Sequence, residues 1–287
     1  MNYLIPLGGA ILCNTIDKLA SRRALSSSAR PDAYLLVYQL ACLAISFPGA
    51  IIAVLSPDAA RRPLGELAPS AWLLVIAAMA AWSMYGVATF RSASVLDLSI
   101  TATIGSSKLI WAALLGIVLF GESLSWIQVL GLLTVVGAQV VLQRAPLVRF
   151  GTAGTLYAAL AAFALSMALA LDKLLLESLS APVVLFLGFA GSSITGAALN
   201  RQTAWLHLRR LAPSALRAAI AGSAGYYCLL LAMASGPLSV VVPVSQSSQI
   251  IFVVAGILVL KERVGIRPKL LASAVSACGA VLIFIGG

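Results

Sequence analysis

Apolar residues follow one another along this chain in long runs, and short polar segments separate the runs. The hydrocarbon core of a bilayer is about 30 Å thick, so a helix needs about 20 apolar residues to cross it. Ten runs meet that requirement and predict an all-α integral membrane protein with ten transmembrane helices. The predicted spans are residues 3–21, 33–55, 70–90, 97–120, 124–142, 152–175, 181–199, 215–235, 238–260 and 266–286.

The polar segments between the runs are too short to hold a further domain. The longest are residues 56–69 and 200–214, which contain proline, arginine and other polar residues. A water-soluble catalytic domain is therefore excluded, and we expect no enzyme activity. The first run lacks the basic region and small-residue cleavage site of a signal peptide, so we expect it to be retained as a span.

Composition supports the membrane prediction, because 61% of the residues are hydrophobic and only 10% are charged. The net charge of +10 could indicate nucleic-acid binding, but most arginines lie in loops between spans, as membrane topology requires. Cys13, Cys42, Cys228 and Cys278 fall inside apolar runs without metal-site spacing. His207 is the single histidine. We therefore expect no metal, no cofactor and no nucleic acid.

The loops differ in charge between the two sides of the predicted bundle. Lysine and arginine concentrate in loops 1–2, 3–4, 5–6, 7–8 and 9–10, whereas the opposite loops carry chiefly Arg61 and Arg62. Because positively charged loops stay in the cytoplasm, this distribution predicts both termini outside. We expect a multi-pass protein of the bacterial inner membrane.

The chain also repeats itself. Leu114–Glu122 matches Val254–Glu262 at an offset of about 140 residues, and Asp17-Lys18-Leu19 recurs as Asp172-Lys173-Leu174. Two repeats follow, residues 1–145 and 146–287, each with five spans. Since five is odd, the second repeat enters the membrane with the opposite orientation. Inverted repeats of this kind are common in secondary transporters, whose sites lie near the midplane between the repeats. The sequence thus predicts two inverted five-helix repeats around a central cavity.

The repeated segments resemble a ten-helix (EamA-type) member of the drug/metabolite transporter superfamily, and the resemblance covers nearly all of the chain. Its most specific pieces are Gly116…Gly121-Glu122, Gly256…Glu262 and Gly236-Pro237-Leu238-Ser239-Val240. The resemblance implies a metabolite transporter with helices 3, 4, 8 and 9 around the cavity and helices 5 and 10 outside. Several relatives place their termini in the cytoplasm, against the loop charges; we follow the charges.

Lys108 is the first candidate site residue, because it lies near the middle of the fourth span. A lysine there costs about 2.5–3.5 kcal/mol on insertion, and side chains so costly usually face a bundle interior or a wet cavity. We expect it to bind a carboxylate or phosphate of the substrate, with Ser106 and Ser107 as further polar contacts. Alternatively, Lys108 pairs with a buried carboxylate such as Asp17, or extends to a membrane surface.

A polar cluster on the ninth span is the expected partner of this lysine. Gln246, Ser247, Ser248 and Gln249 lie at matching depth, and Pro243 one turn earlier removes a backbone hydrogen bond. Polar groups at the bilayer centre need partners from neighbouring helices or from a ligand. We expect the fourth and ninth spans to meet and form the floor of a substrate site. The alternative is helix packing through small polar residues.

The repeated pairs Asp17-Lys18 and Asp172-Lys173 are candidates for gating or proton coupling. Both occupy the late part of their spans, so the inverted repeat predicts positions near opposite membrane faces. Each aspartate could pair with a cation across the pathway in one state and release it in another. Asp17 could instead carry a coupling proton, since burial favours the neutral acid. In a third interpretation these are interfacial charges whose lysines reach the headgroups.

Aromatic residues recur at similar places in the third and eighth spans. Trp82, Tyr85, Tyr226 and Tyr227 could form a cavity wall against an apolar part of the substrate, or could simply be core residues. Asn14, one turn before Asp17, is a weaker candidate for substrate binding.

Glu122 and its repeat counterpart Glu262 stand at span ends. We interpret both as structural carboxylates that pair with the N-terminal dipole of the next helix.

The leading functional hypothesis is a secondary transporter that moves an amino acid or another carboxylate-bearing metabolite by alternating access. The alternatives are a flippase for a lipid-linked or phosphorylated metabolite, an integral-membrane enzyme and a channel. Few acidic residues and no acidic ring argue against the last two. The expected partners are a small-molecule substrate, the lipid bilayer and, with proton coupling, protons. Ten spans suffice for one cavity, so we expect a monomer.

Overall fold

The structure is a computed structural model, and it describes residues 3–26, 31–56, 68–95, 104–105, 107–143, 153–199, 204–245 and 266–286. The candidate site residues Ser106, Gln246, Ser247, Ser248 and Gln249 lie outside these ranges, as do Gly256 and Glu262 of the second motif copy and the loop residues Arg61 and Arg62. The predictions made for them stay predictions.

The described residues form α-helices and no strands, which confirms the all-α class for this part of the chain. The helices are α1 (Leu4–Ser26), α2 (Pro31–Leu55), α3 (Pro69–Val95), α4 (Lys108–Phe120), α5 (Trp126–Gln143), α6 (Ala153–Leu175), α7 (Ala181–Leu199), α8 (Ala204–Ser235), α9 (Leu238–Ser245) and α10 (Ile266–Ile285). One described helix falls in each predicted span.

Five of these helices, α2, α3, α6, α7 and α8, are long and apolar enough to cross a membrane. The protein is therefore a multi-pass membrane protein. Within the described ranges, α4 and the Trp126–Ala138 part of α5 are shorter apolar helices. The full set of ten spans and their inverted arrangement stay predictions.

Several helices extend beyond the predicted apolar runs. The longest extension is in α8, which begins at Ala204 although we predicted a loop over residues 200–214. Similarly, α1 continues to Ser26 and α3 to Val95. A helix need not end where the hydrocarbon ends, because alanine, leucine and arginine favour helix in water as well. Apolar run length therefore underestimates helix length.

The chain packs as two compact units. The first unit is Met1–Gly86 with Leu171–Ser235, and the second unit is Val87–Ala170 with Gly236–Gly287. Each unit thus takes residues from both predicted repeats, 1–145 and 146–287. Packing and sequence repetition divide this chain differently, and the repeat boundaries stay a prediction.

In the first unit α8 packs against α1, α2 and α7. Glycines let α8 approach α1 closely: a Cβ built on Gly225 would lie 2.6 Å from Asn14 Oδ1 and 3.1 Å from its backbone nitrogen. Close approach also joins α7 to α3, because a Cβ on Gly191 would lie 2.7 Å from the Met79 carbonyl oxygen. Small residues at such contacts are the usual basis of helix association in lipid.

In the second unit α5 packs along α10, and α4 packs against α9. Gly131 of α5 faces Gly279 of α10, and a Cβ on Gly131 would lie 2.7 Å from the Gly279 carbonyl oxygen and 2.8 Å from the Ile283 nitrogen. These are backbone atoms, which cannot yield as a flexible side chain can. The expected meeting of the fourth and ninth spans is confirmed for the described residues.

We predict that Gly131→Ala destabilises the protein and that Gly137→Ala, on the same helix, does not. Overpacking costs about 1–3 kcal/mol, whereas replacing a helical glycine by alanine gains about 1 kcal/mol. A Cβ on Gly137 meets nothing within 4 Å, so this control keeps only the gain. Thermal unfolding in detergent measures both variants, and equal unfolding temperatures would contradict the close α5–α10 packing.

Candidate functional site

Asp172 is the most buried of the predicted site residues that the structure describes. It lies near the end of α6 and is only 1% exposed. Trp82 of α3 donates its Nε1–H to Asp172 Oδ2 at 3.1 Å, and the Tyr226 hydroxyl of α8 donates to the same oxygen. One carboxyl group therefore joins three helices of the first unit.

Aromatic rings enclose this carboxyl. Trp82 and Tyr226 meet edge to face with centroids 5.2 Å apart, Tyr85 lies 5.9 Å from Trp82, and Phe189 of α7 lies 5.7 Å from Tyr226. Gly188 leaves the space that the polar tips need, because a Cβ there would lie 3.3 Å from both Trp82 Nε1 and the Tyr226 oxygen. The predicted residues Trp82, Tyr85 and Tyr226 thus form one cluster around Asp172.

The side chains that donate to Asp172 in the structure, Trp82 and Tyr226, are neutral rather than cationic. Hydrogen bonds to an ionised acceptor are stronger than those between neutral groups, so two such donors can hold a carboxylate away from water. The cation partner that we expected for a gate is not part of this cluster as described. Lys173, the next residue, is half-buried. The gating role of Asp172 and Lys173 stays a prediction.

Asp17 belongs to a second hydrogen-bonded cluster of the first unit, and its side chain is half-buried. Ser21 Oγ donates to Asp17 Oδ1 at 3.3 Å, and the Tyr34 hydroxyl donates to Ser21 Oγ at 3.3 Å. Tyr38 adds a side-chain hydrogen bond to the Asp17 carboxyl. Lys18 is half-buried as well. Asp17 is therefore more exposed than Asp172, and Ser21 and Tyr38 are its hydrogen-bonding partners.

The two aspartates do not lie near opposite membrane faces, so that expectation was wrong. A Cβ on Gly222 of α8 would lie 3.3 Å from Asp17 Cγ, while Asp172 bonds Tyr226, four residues further along α8. Four residues of helix span about 6 Å, a small part of a bilayer. The error arose because α1 continues to Ser26, which places Asp17 further inside its helix than the apolar run indicated.

Asn14 and Tyr227 lie apart from the Asp172 cluster. Asn14 packs against Gly225 at the α1–α8 contact. Tyr227 lines a cavity of about 280 Å³ in the first unit, together with residues that include Leu176, Leu179 and Leu231. This cavity is lined mainly by apolar side chains, so Tyr227 contributes to a different surface from its neighbour in the sequence.

Lys108 lies in the second unit as the first residue of α4, and its side chain is half-buried. Its carbonyl oxygen accepts a hydrogen bond of 2.8 Å from Ser166 Oγ of α6. Ser107 precedes it with helical φ and ψ and makes no side-chain cap. Trp111, one turn later, packs edge to face on Phe163 with centroids 5.2 Å apart. The backbone around Lys108 is thus tied to α6.

Glu122 caps a helix, as expected, but not the next helix in the chain. Its Oε1 accepts the Leu238 N–H at 2.7 Å and its Oε2 accepts the Ser239 N–H at 2.8 Å, both at the start of α9. The next helix, α5, is capped instead by Ser125 and Gln128. The Ser125 N–H donates to Gln128 Oε1 and the Gln128 N–H donates to Ser125 Oγ. Since α5 supplies its own cap, Glu122 can serve α9.

The glycines near Glu122 each have a structural role in the first copy of the repeated motif. Gly121 ends α4 in the left-handed region with φ 62°, and its N–H donates to the Ile117 carbonyl oxygen at 3.1 Å. Gly116 leaves room for the carboxylate, because a Cβ there would lie 2.5 Å from Glu122 Oε2. Gly116, Gly121 and Glu122 therefore act together to place the Glu122 carboxylate at the start of α9.

Sequence reasoning missed several residues of these groups, namely Ser21, Tyr34, Tyr38, Ser166 and Phe189. Tyr34 and Tyr38 carried a usable signal, since two tyrosines four residues apart share one face of a helix. Ser166 and Phe189 resemble ordinary residues of an apolar span. Among the described residues, no group of histidine, cysteine, aspartate and glutamate could hold a metal ion.

Comparison with known proteins identifies structures of the same fold but no family to which the chain belongs. No protein-family model and no curated protein matches the sequence. Solved structures do match: 28 chains resemble this one. One, described only as "Crystal structure of protein", gives a TM-score of 0.74 over 99% of this chain and 96% of its own, with 17% sequence identity. At that identity the likeness shows a shared fold alone.

We predict that Tyr226→Phe destabilises the protein by about 1–3 kcal/mol, because a buried carboxyl group then loses one donor. Tyr227→Phe is the matched control: it makes the same change one residue away, where the ring lines an apolar cavity. Unfolding in detergent measures both. In an Asp172→Ala background, which has no side-chain acceptor, the effect of Tyr226→Phe should shrink, since the two residues interact directly. Equal effects in both backgrounds would contradict the hydrogen bond.

Proposed function

We propose that this protein is a secondary transporter that moves a small metabolite across the bacterial inner membrane by alternating access. The observation that carries the proposal is the presence of ionisable side chains inside a bundle of apolar helices, above all Asp172 at 1% exposure. Such side chains are costly in a membrane and usually mark a substrate, ion or proton pathway. A purely structural membrane protein has less reason to retain them.

The sequence repeat is the second support. Two copies of one five-span pattern give an odd number of crossings each, and inverted repeats of this kind underlie many secondary transporters. The resemblance to EamA-type drug/metabolite transporters points to the same function. The shared fold with solved structures is compatible with it but names no activity.

The proposed substrate is an amino acid or another carboxylate-bearing compound. Lys108 supports this choice, because an ammonium group in an apolar helix binds a carboxylate with up to three hydrogen bonds. In this proposal Ser106, Ser107 and the polar cluster at residues 246–249 add neutral contacts to the same substrate.

Asp17 is the proposed carrier of a coupling proton. Its carboxyl is half-buried on α1, with Ser21 and Tyr38 as hydrogen-bonding partners. A partly accessible acid can exchange a proton with water, whereas a sealed acid such as Asp172 cannot do so without rearrangement. We further propose that the protein acts as a monomer with both termini outside.

We predict that amino acids or other carboxylates raise the unfolding temperature of the wild type and not of Lys108→Ala. A ligand at 100 times its Kd stabilises the folded state by about 2.7 kcal/mol. The panel contains amino acids, carboxylates, sugar phosphates and hydrophobic cations. Lys269→Ala, which removes a lysine from the first turn of α10, is the control and should retain the response.

Uptake into proteoliposomes then tests transport of any compound that binds. The substrate proposal fails if hydrophobic cations alone stabilise the wild type, or if Lys108→Ala responds as the wild type does. Steady ion conductance without saturation by any metabolite would overturn the transporter proposal itself.

A further inference from the structure

Each of the first four backbone N–H groups of α9 has a hydrogen-bond acceptor, and Glu122 is the acceptor for two of them. A helix leaves its first N–H groups without partners inside the helix. Pro237, just before α9, has no N–H, and its carbonyl oxygen accepts from Val240 and Val241 at 3.2 and 2.9 Å. The remaining donors, Leu238 and Ser239, bind the two oxygens of Glu122. Without that carboxylate, the Leu238 and Ser239 N–H groups would lose the only acceptors that the described residues show for them.

The position of the Glu122 carboxylate is determined from the α4 side as well. Gly121 turns the chain after α4, and the Glu122 N–H donates to the Gly116 carbonyl oxygen at 3.2 Å. A Cβ on Gly116 would lie 2.5 Å from Glu122 Oε2 and 3.3 Å from Ser239 Cβ. The end of α4 therefore presents the carboxylate to the start of α9 with little freedom.

A polar cleft of about 450 Å³ surrounds this contact within the second unit. Its lining includes Glu122, Ser123, Ser125, Gln128 and Ser239. Ser239 and Gln128 are 4% and 5% exposed, so polar groups are built into the wall. The starts of both α5 and α9 contribute to the lining, and helix N-termini favour a negative charge. The cleft is far larger than a formate ion, which has the size of about two water molecules of about 30 Å³ each.

We propose that Glu122 is a positioning residue for α9, and that its cleft accepts a small carboxylate in place of the missing side chain when Glu122 is removed. In the wild type, the Glu122 carboxylate holds the start of α9 beside the end of α4. It thereby sets the direction of α9 from its first turn. Its link to transport rests on the proposed function, whereas the cap itself does not.

The test compares Glu122→Ala with the wild type in the presence and absence of sodium formate. Unfolding temperature is measured in detergent, and KM and maximal rate are measured in proteoliposomes with the substrate identified for the wild type. Sodium chloride at equal ionic strength controls for salt. Glu177→Ala is the matched control, since Glu177 is an exposed glutamate in the turn after α6.

We predict that Glu122→Ala lowers transport efficiency about tenfold, mainly through KM, and lowers the unfolding temperature. Formate should restore both in a saturable manner, because its two oxygens can accept the Leu238 and Ser239 N–H groups. Chloride should restore neither, and Glu177→Ala should not respond to formate. Glu122→Gln keeps one acceptor and fills the space, so its deficit should be smaller and insensitive to formate.

Three results would overturn the proposal in different ways. A wild-type unfolding temperature in Glu122→Ala would show that the cap contributes nothing. Glu122→Ala is also purified with formate present throughout. If its unfolding temperature and transport efficiency stay low there, the cleft does not accept a carboxylate. Restored stability without restored transport would reduce Glu122 to a structural cap. If the wild type transports no compound of the panel, the proposed function fails. The unfolding temperatures then test by themselves whether Glu122 caps α9.

Discussion

A membrane helix can leave almost none of its polar groups without a partner, because the hydrocarbon offers no hydrogen bonds. This constraint explains three of the polar arrangements among the described residues. Ser125 and Gln128 satisfy the start of α5, Glu122 satisfies the start of α9, and Asp172 receives two donors from neighbouring helices. Each arrangement requires particular helices to be adjacent. Polar satisfaction thus contributes to the specificity of packing in a chain whose apolar surfaces discriminate poorly among partners.

The same constraint decides how much of the fold can be predicted from sequence. Apolar runs of sufficient length located one described helix in every predicted span, because the cost of exposing a backbone to lipid depends on length and hydrophobicity alone. The ends of the helices were predicted less well. The start of α8 at Ala204 lies in a segment whose polar residues mask its helical character. The close contact of α1 with α8 at Gly225 depends on which helices become neighbours, which run length does not encode.

The candidate site shows a similar limit. Sequence reasoning identified Trp82, Asp172 and Tyr226, because charged and aromatic residues stand out in an apolar span. It did not predict that they would meet in one hydrogen-bonded cluster. Asp17 and Asp172 belong to similar segments, yet the Asp17 side chain is half-buried and the Asp172 side chain is 1% exposed. Both lie against α8, but their other partners come from α2 and α3 respectively, so equal local sequence does not give equal chemistry.

Asp172 and Glu122 are two carboxylates that each receive two donors, and the nature of those donors separates their roles. The donors to Asp172 belong to side chains, which can leave the carboxyl by changing rotamer while the helices stay in place. The donors to Glu122 belong to the backbone of α9, so they cannot leave without movement of the helix or loss of two hydrogen bonds. A contact of the first kind suits an element that would open and close in the proposed transport cycle. A contact of the second kind suits an element that stays fixed while others move.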